Sequence, residues 1–199
     1  MRYLNDAEGV LSGTAVDTTN SGVGGNAAFT VVTPESGTLQ YSTAQAMHGT
    51  GSIRVTATSA GPFFYWGSTI IPAGFKTMYA RMYLYFSTVP TNSRFFQFTN
   101  SSIQLQGGVG TNGSGKFVLK DSAGTTVSTS STSVPTTAWC RLEFYMFSDA
   151  SVGQIECKIF LTPDSTSADE TITTTATQNT RGDDIQSAIF GLPTVVASA

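Results

Sequence analysis

Apolar and polar residues alternate along most of this chain, and short clusters of Gly, Pro, Asn, Ser or Thr interrupt the alternation. A period near two, broken by turn residues, is typical of antiparallel β-strands. In Thr77–Phe86, for example, one side carries small or apolar residues: Ala80, Met82, Leu84 and Phe86. We interpret that side as core and the opposite one as the partly wet face of a sheet: Tyr79, Arg81, Tyr83 and Tyr85.

The alternation predicts about eleven strands and no helix. The predicted strands are Phe29–Val32, Gly51–Ala57, Pro62–Ser68, Thr77–Phe86, Arg94–Thr99, Ser102–Gly107, Lys116–Asp121, Thr125–Ser130, Ala138–Phe147, Gln154–Leu161 and Ser187–Gly191. So many strands in one chain require two stacked sheets or a closed barrel. We expect an all-β, two-sheet antiparallel jelly-roll sandwich, formed as one domain by residues 1–199.

Two short polar segments predict hairpin turns, at Asp121–Gly124 and at Ser148–Gly153. The low-apolar tracts Leu11–Asn26 and Thr162–Asp184 are interpreted as long surface loops or edge segments. If Ser148 lies opposite Gln154, the two cysteines, Cys140 and Cys157, are about five residues apart along the ladder. That separation is too long for a disulfide, so we expect two buried free thiols.

Composition excludes several classes of protein. The 199 residues carry a net charge of −3 with only 12% charged residues, and the ten cations are scattered singly. A nucleic acid partner is therefore not expected. No apolar run is long enough to span a bilayer, and the N-terminus lacks the apolar stretch of a signal peptide, so neither a membrane partner nor export is expected.

Catalytic and metal-binding patterns are sparse. The single histidine, His48, lies in a glycine-flanked turn, and neither a nucleophile elbow nor a zinc or calcium ligand spacing accompanies it, so no metal or cofactor is expected. Asp6 and Glu8 form the only acid pair at i, i+2 spacing, the arrangement that could serve a glycoside hydrolase, although a solvated strand end explains it more simply. Glu143 and Glu156 are interpreted as partners in cross-strand ion pairs.

Aromatic side chains offer a different chemistry. A sugar ring can stack on Tyr or Trp while Arg or Gln binds its hydroxyl groups. The carbohydrate-binding candidates are Trp66, Arg81, Tyr83, Tyr85 and Gln97. The competing interpretation places these aromatic faces in the core or at a subunit interface.

Several segments together resemble a known family. The segments are Asn5–Gly9 (NDAEG), Ala44–Val55 (AQAMHGTGSIRV), Tyr79–Phe86 (YARMYLYF), Arg94–Phe98 (RFFQF), Gly115–Ser128 (GKFVLKDSAGTTVS), Thr137–Phe147 (TAWCRLEFYMF) and Ile155–Leu161 (IECKIFL). They are similar to the concanavalin A-like, laminin-G-like jelly-roll domains, in particular to those of virion proteins from tailed actinobacteriophages. The Glu-x-Asp-x-Glu strand of the enzymes with this fold is absent from the sequence, so hydrolase activity cannot be transferred from them. The resemblance implies the sandwich and leaves ligand binding open.

The resemblance implies a non-enzymatic virion protein, which we expect to be a capsid decoration, minor capsid or tail-surface component. Its partners would be major capsid or tail proteins and further copies of itself, in virions assembled in the host cytoplasm. The alternative is a carbohydrate-binding module for cell-surface or cell-wall polysaccharide. A glycoside hydrolase acting through Asp6 or Glu8 ranks third.

Overall fold

The computed structural model describes residues 2–57, 61–174 and 177–192. Their regular structure consists of thirteen strands and a short 3₁₀ segment at Asn20–Gly25. The strands are β1 (Val31–Thr33), β2 (Gly37–Ser42), β3 (Ser52–Ala57), β4 (Phe63–Trp66), β5 (Thr77–Tyr85), β6 (Arg94–Thr99), β7 (Leu105–Thr111), β8 (Lys116–Lys120), β9 (Thr126–Ser133), β10 (Trp139–Phe147), β11 (Gln154–Phe160), β12 (Glu170–Thr173) and β13 (Ser187–Gly191).

These strands form three sheets in which every pairing is antiparallel. The largest has seven strands in the order β1-β4-β13-β6-β7-β8-β9, and the second has four in the order β12-β11-β10-β5. Strands β2 and β3 form a separate two-stranded ribbon. The predicted all-β antiparallel class is confirmed, and the ribbon adds a third sheet to the two that were expected.

The two larger sheets pack face to face around an aromatic core. The ring of Phe144 in β10 lies 5.4 Å from that of Phe96 and 5.6 Å from that of Phe98, both in β6. Gly107 of β7 marks a close approach between the sheets, because a Cβ there would lie only 2.8 Å from Sδ of Met146. The result is a β-sandwich with its core between the inner faces.

Strands β5 and β10 have the two faces that their alternation predicted. The inner face of β10 is buried: Cys140, Leu142, Phe144 and Met146. Met82 of β5 is also buried, whereas Tyr79 on the opposite face is 75% exposed. The outer face of the four-stranded sheet is thus the wet, aromatic face.

The structure differs from the prediction at three strands. Strands β2 and β12 were not predicted, since β12 contains a single large apolar residue, Ile172, among Glu and Thr. Strand β7 begins later than predicted because Oδ1 of Asn100 accepts hydrogen bonds from the N–H groups of Ser102 and Gln104, which makes that segment a turn. The tract 162–184 was predicted as a surface loop or an edge segment, and β12 lies in it at the edge of the four-stranded sheet. Positions 175 and 176 of this tract lie outside the described residues.

Both predicted hairpins are present, with β8 paired to β9 and β10 paired to β11. The second register differs by one residue from the prediction, because Gln154 pairs with Phe147 and not with Ser148. Cys140 and Cys157 are buried and free, as expected. No helix in the described part of the chain has the length and apolar character needed to cross a bilayer.

Candidate functional site

The five predicted carbohydrate-binding residues do not share one surface. The ring of Trp66 is packed inside the sandwich, 5.6 Å from Phe29 and 5.5 Å from Phe190, and its Nε1 donates a hydrogen bond to the carbonyl of Ala27. Gln97 lies between two residues that face the core, on the outer side of the seven-stranded sheet, and is only 1% exposed. Trp66 and Gln97 are therefore separated from the other three candidates.

Arg81, Tyr83 and Tyr85 lie together on the outer face of the four-stranded sheet, as alternation along β5 requires. The register places them opposite Glu143, Arg141 and Trp139 of β10, respectively. The rings of Tyr85 and Trp139 are 5.6 Å apart. Nη2 of Arg81 lies 2.8 Å from Oε1 of Glu143, so Glu143 takes part in a cross-strand ion pair as predicted, with a partner on β5. The ion pair predicted for Glu156 is wrong, because its carboxylate pairs with no cation among the described residues.

A groove of about 430 Å³ opens on this same face. The following residues line it: Arg81, Arg141, Glu143, Lys158, Phe160, Asp164, Ser165, Thr166, Ala168 and Thr171. One wall is the sheet, and the other is the loop between β11 and β12, which carries Asp164. Its size falls in the usual range for small-molecule sites, and its lining is mainly polar and charged.

Arg141 fixes the loop wall of the groove. Its side chain is 9% exposed, and its guanidinium carbon lies 3.7 Å from the centre of the Phe160 ring. Nη2 donates a hydrogen bond of 2.8 Å to the carbonyl of Ser165, and Nη1 donates to that of Pro163. The two hydrogen bonds hold the loop against the sheet, and the cation–π contact with Phe160 of β11 positions the guanidinium that donates them.

A second loop reaches the groove from the N-terminal part of the chain, and Glu8 holds it in place. Oε1 of Glu8 accepts hydrogen bonds from the N–H groups of Thr50 (2.7 Å) and Gly51 (2.8 Å), and Oε2 accepts from the Thr50 hydroxyl. Gly51 has no room for a side chain, since a Cβ there would lie 2.6 Å from the carbonyl oxygen of Ala7. The segment NDAEG and the segment HGTGS, far apart in sequence, therefore form one structural unit.

This unit places His48 at the rim of the groove. The His48 ring meets the Tyr83 ring edge-on at 4.9 Å, and Nε2 of His48 lies 3.2 Å from Oδ1 of Asp164. His48 thereby connects the turn that carries it to the loop between β11 and β12. Sequence reasoning missed this role, although the two glycine-flanked motifs were a detectable sign of a tightly built turn.

The net charge of the side chains lining the groove is positive, whereas that of the whole chain is negative. Three cations, Arg81, Arg141 and Lys158, line it together with two carboxylates, Glu143 and Asp164. Glu143 lies within 3.3 Å of Arg141 as well as bonding to Arg81. The groove therefore carries an excess of positive charge on a protein whose net charge is −3.

Several acids outside the groove bind the backbone or neighbouring side chains. Oδ1 of Asp6 accepts from the side-chain amide of Asn26, and Oδ2 of Asp169 accepts from the N–H of Leu161. Hydrogen bonds from Thr50 and Gly51 lower the pKa of Glu8, so this carboxylate is held ionised in its turn. Within the described ranges, no group of three or more His, Cys, Asp or Glu side chains is arranged to hold a metal ion.

Fold and groove together define an antiparallel β-sandwich with a polar, positively charged groove on one outer face. No protein-family model matches the chain, and comparison with curated proteins finds no significant match.

Proposed function

We propose that this protein is a non-enzymatic virion protein of a tailed phage that acts by binding. The virion setting is inferred from the sequence resemblance to actinobacteriophage jelly-roll proteins. Supporting a docking role, the outer face of the four-stranded sheet exposes a tyrosine patch, defined here as Tyr79, Tyr145 and Phe147. Tyr79 is 75% exposed and its ring lies 4.9 Å from that of Tyr145.

Such a patch suits attachment to a capsid or tail surface. Aromatic residues are enriched in the centres of protein interfaces, where charged residues are depleted. None of the three side chains of the patch is charged, so covering the patch itself desolvates no ion.

The test combines detection with a docking variant. Mass spectrometry of purified virions from the source phage should find the protein, and added protein should bind particles that lack it. Tyr79→Glu should weaken that binding, whereas Leu11→Glu, at an 82% exposed apolar residue outside the patch, should not. Absence of the protein from virions would refute the virion setting. Equal binding of the two variants to the particles would refute the patch as the docking surface.

A second candidate function, saccharide binding, is favoured by the groove. The groove combines a partly exposed tyrosine, Tyr83, at its margin with hydroxyl, guanidinium and carboxylate groups that can bind sugar hydroxyls. Both functions are compatible, because a virion surface protein can also adhere to cell-surface glycans and the tyrosine patch lies beside the groove.

Saccharide binding is testable on a glycan array followed by titration with cell-wall polysaccharides. Tyr83→Ala should abolish a response that the wild type gives, while Tyr65→Ala, on the other sheet, should retain it. Absence of any glycan response from the folded wild type would refute this second function without affecting the first.

A further inference from the structure

We infer that the groove selects saccharides that carry a carboxylate. This inference deepens the proposed saccharide-binding function and rests on it. Its starting point is the arrangement of the charged groups lining the groove, which leaves one cation without a counter-charge.

Glu143 lies directly opposite Lys158 in the register of β10 and β11. Its carboxylate is nevertheless bonded by Arg81 on one side, with Nε to Oε1 at 2.9 Å and Nη2 to Oε1 at 2.8 Å. Arg141 approaches the same oxygen to 3.3 Å. Two arginines thus share one carboxylate, and the side-chain ammonium of Lys158 makes no ion pair or hydrogen bond with any residue in the described ranges.

Asp164, the other acid in the lining, does not balance Lys158 either. Its carboxylate is directed to His48, with Oδ1 at 3.2 Å from Nε2. Arg141 is also committed, because its Nη atoms donate to the carbonyls of Pro163 and Ser165. The groups left to meet a ligand are therefore the exposed ammonium of Lys158, the Nη1 of Arg81 and the hydroxyls of Thr166 and Thr171.

An ammonium and a guanidinium beside hydroxyl groups match the chemistry of a sugar acid. The carboxylate would bind Lys158 and Arg81, while ring hydroxyls would bind the threonines. A neutral saccharide would satisfy the hydroxyls but leave Lys158 unpaired. The groove should therefore prefer acidic sugars over neutral ones, because the hydroxyl contacts are the same for both and only the acidic sugar pairs with the cations.

The matched probes are tri-galacturonate and its fully methyl-esterified form, which have the same sugar rings and differ in charge. Titration calorimetry at low salt should give tighter binding of the acid. Lys158→Gln should weaken acid binding about fivefold, as expected for one partly exposed ion pair, and weaken ester binding by clearly less. Lys158→Glu should weaken acid binding further, and 0.5 M NaCl should remove most of the preference.

Lys120→Gln is the control, because Lys120 lies on the other sheet, where its Nζ contacts the hydroxyl of Thr126. It should bind both probes like the wild type. Equal affinity for acid and ester, with both lost in Tyr83→Ala, would overturn the inference and leave saccharide binding intact. Failure of the folded wild type to bind either probe or any glycan on the array would overturn both.

Discussion

At the scale of single residues, two carboxylates hold distant segments together by accepting hydrogen bonds from backbone N–H groups. Glu8 binds the turn that carries His48, and Glu170 joins the edges of the two larger sheets. Glu170 in β12 accepts hydrogen bonds of 2.7 Å from the N–H groups of Ser131 and Thr132 in β9. These are charge-assisted bonds, and each links segments that are distant in sequence.

Glu170 predicts an acid-sensitive contribution to stability. Burial raises the pKa of this carboxyl, but hydrogen bonds from Thr132 and Ser131 outweigh that effect and hold the pKa at about 2, below its ordinary 4.5. The stabilisation is therefore present above pH 4.5 and is lost as the pH falls towards 2. Glu170→Gln should lower the free energy of unfolding at pH 7 by on the order of 1 kcal/mol, because solvent screens the contact.

Denaturant unfolding of wild type and Glu170→Gln from pH 7 to pH 2.5 measures this effect. The difference between the two should narrow as the pH falls. Glu156→Gln serves as the control, since the Glu156 carboxylate accepts no hydrogen bond from the residues described. A difference that stays constant across this range would show that the Glu170 contact does not titrate as inferred.

At the scale of secondary structure, β10 separates core from surface within a single strand. Phe144 is 1% exposed and touches the facing sheet, whereas Phe147 lies on the outer face. The alternation in the sequence specified these faces, because successive side chains of a strand point to opposite sides of a sheet. It did not specify the register, which differs by one residue at the hairpin of β10 and β11.

Two substitutions of phenylalanine by alanine on β10 test the assignment of its faces. Phe144→Ala should lower the free energy of unfolding by about 3–5 kcal/mol, because it removes an aromatic ring from between the sheets and leaves a cavity. Phe147→Ala should cost less than half as much. Urea unfolding monitored by tryptophan fluorescence measures both, and similar losses for the two variants would contradict the assignment.

At the scale of the whole molecule, the core of the sandwich buries both cysteine thiols. Cys140 and Cys157 are both 0% exposed. Burial raises the pKa of the Cys140 thiol to about 12 and also raises the pKa of Cys157. Since the thiolate is the reactive form, neither cysteine is suited to redox or nucleophilic chemistry in the folded state.

Thiol labelling at pH 8 tests this enclosure. The native protein should not react with an aromatic disulfide reagent, and the protein in 6 M guanidinium should react at both cysteines. Ser151→Cys, in an exposed turn, is the positive control and should add one thiol that reacts at once. Rapid labelling of Cys140 or Cys157 without denaturant would contradict the enclosed core.

Sequence and structure each determined a distinct part of this protein. The alternation of side chains determined the all-β class, two hairpins and the faces of β5 and β10, because strand periodicity is a local property. Tertiary structure alone decided that Trp66 is buried, that Gln97 lies on another sheet and that Glu8, His48 and Asp164 together shape the groove. Those residues meet through contacts between segments far apart in the chain, which no local pattern records.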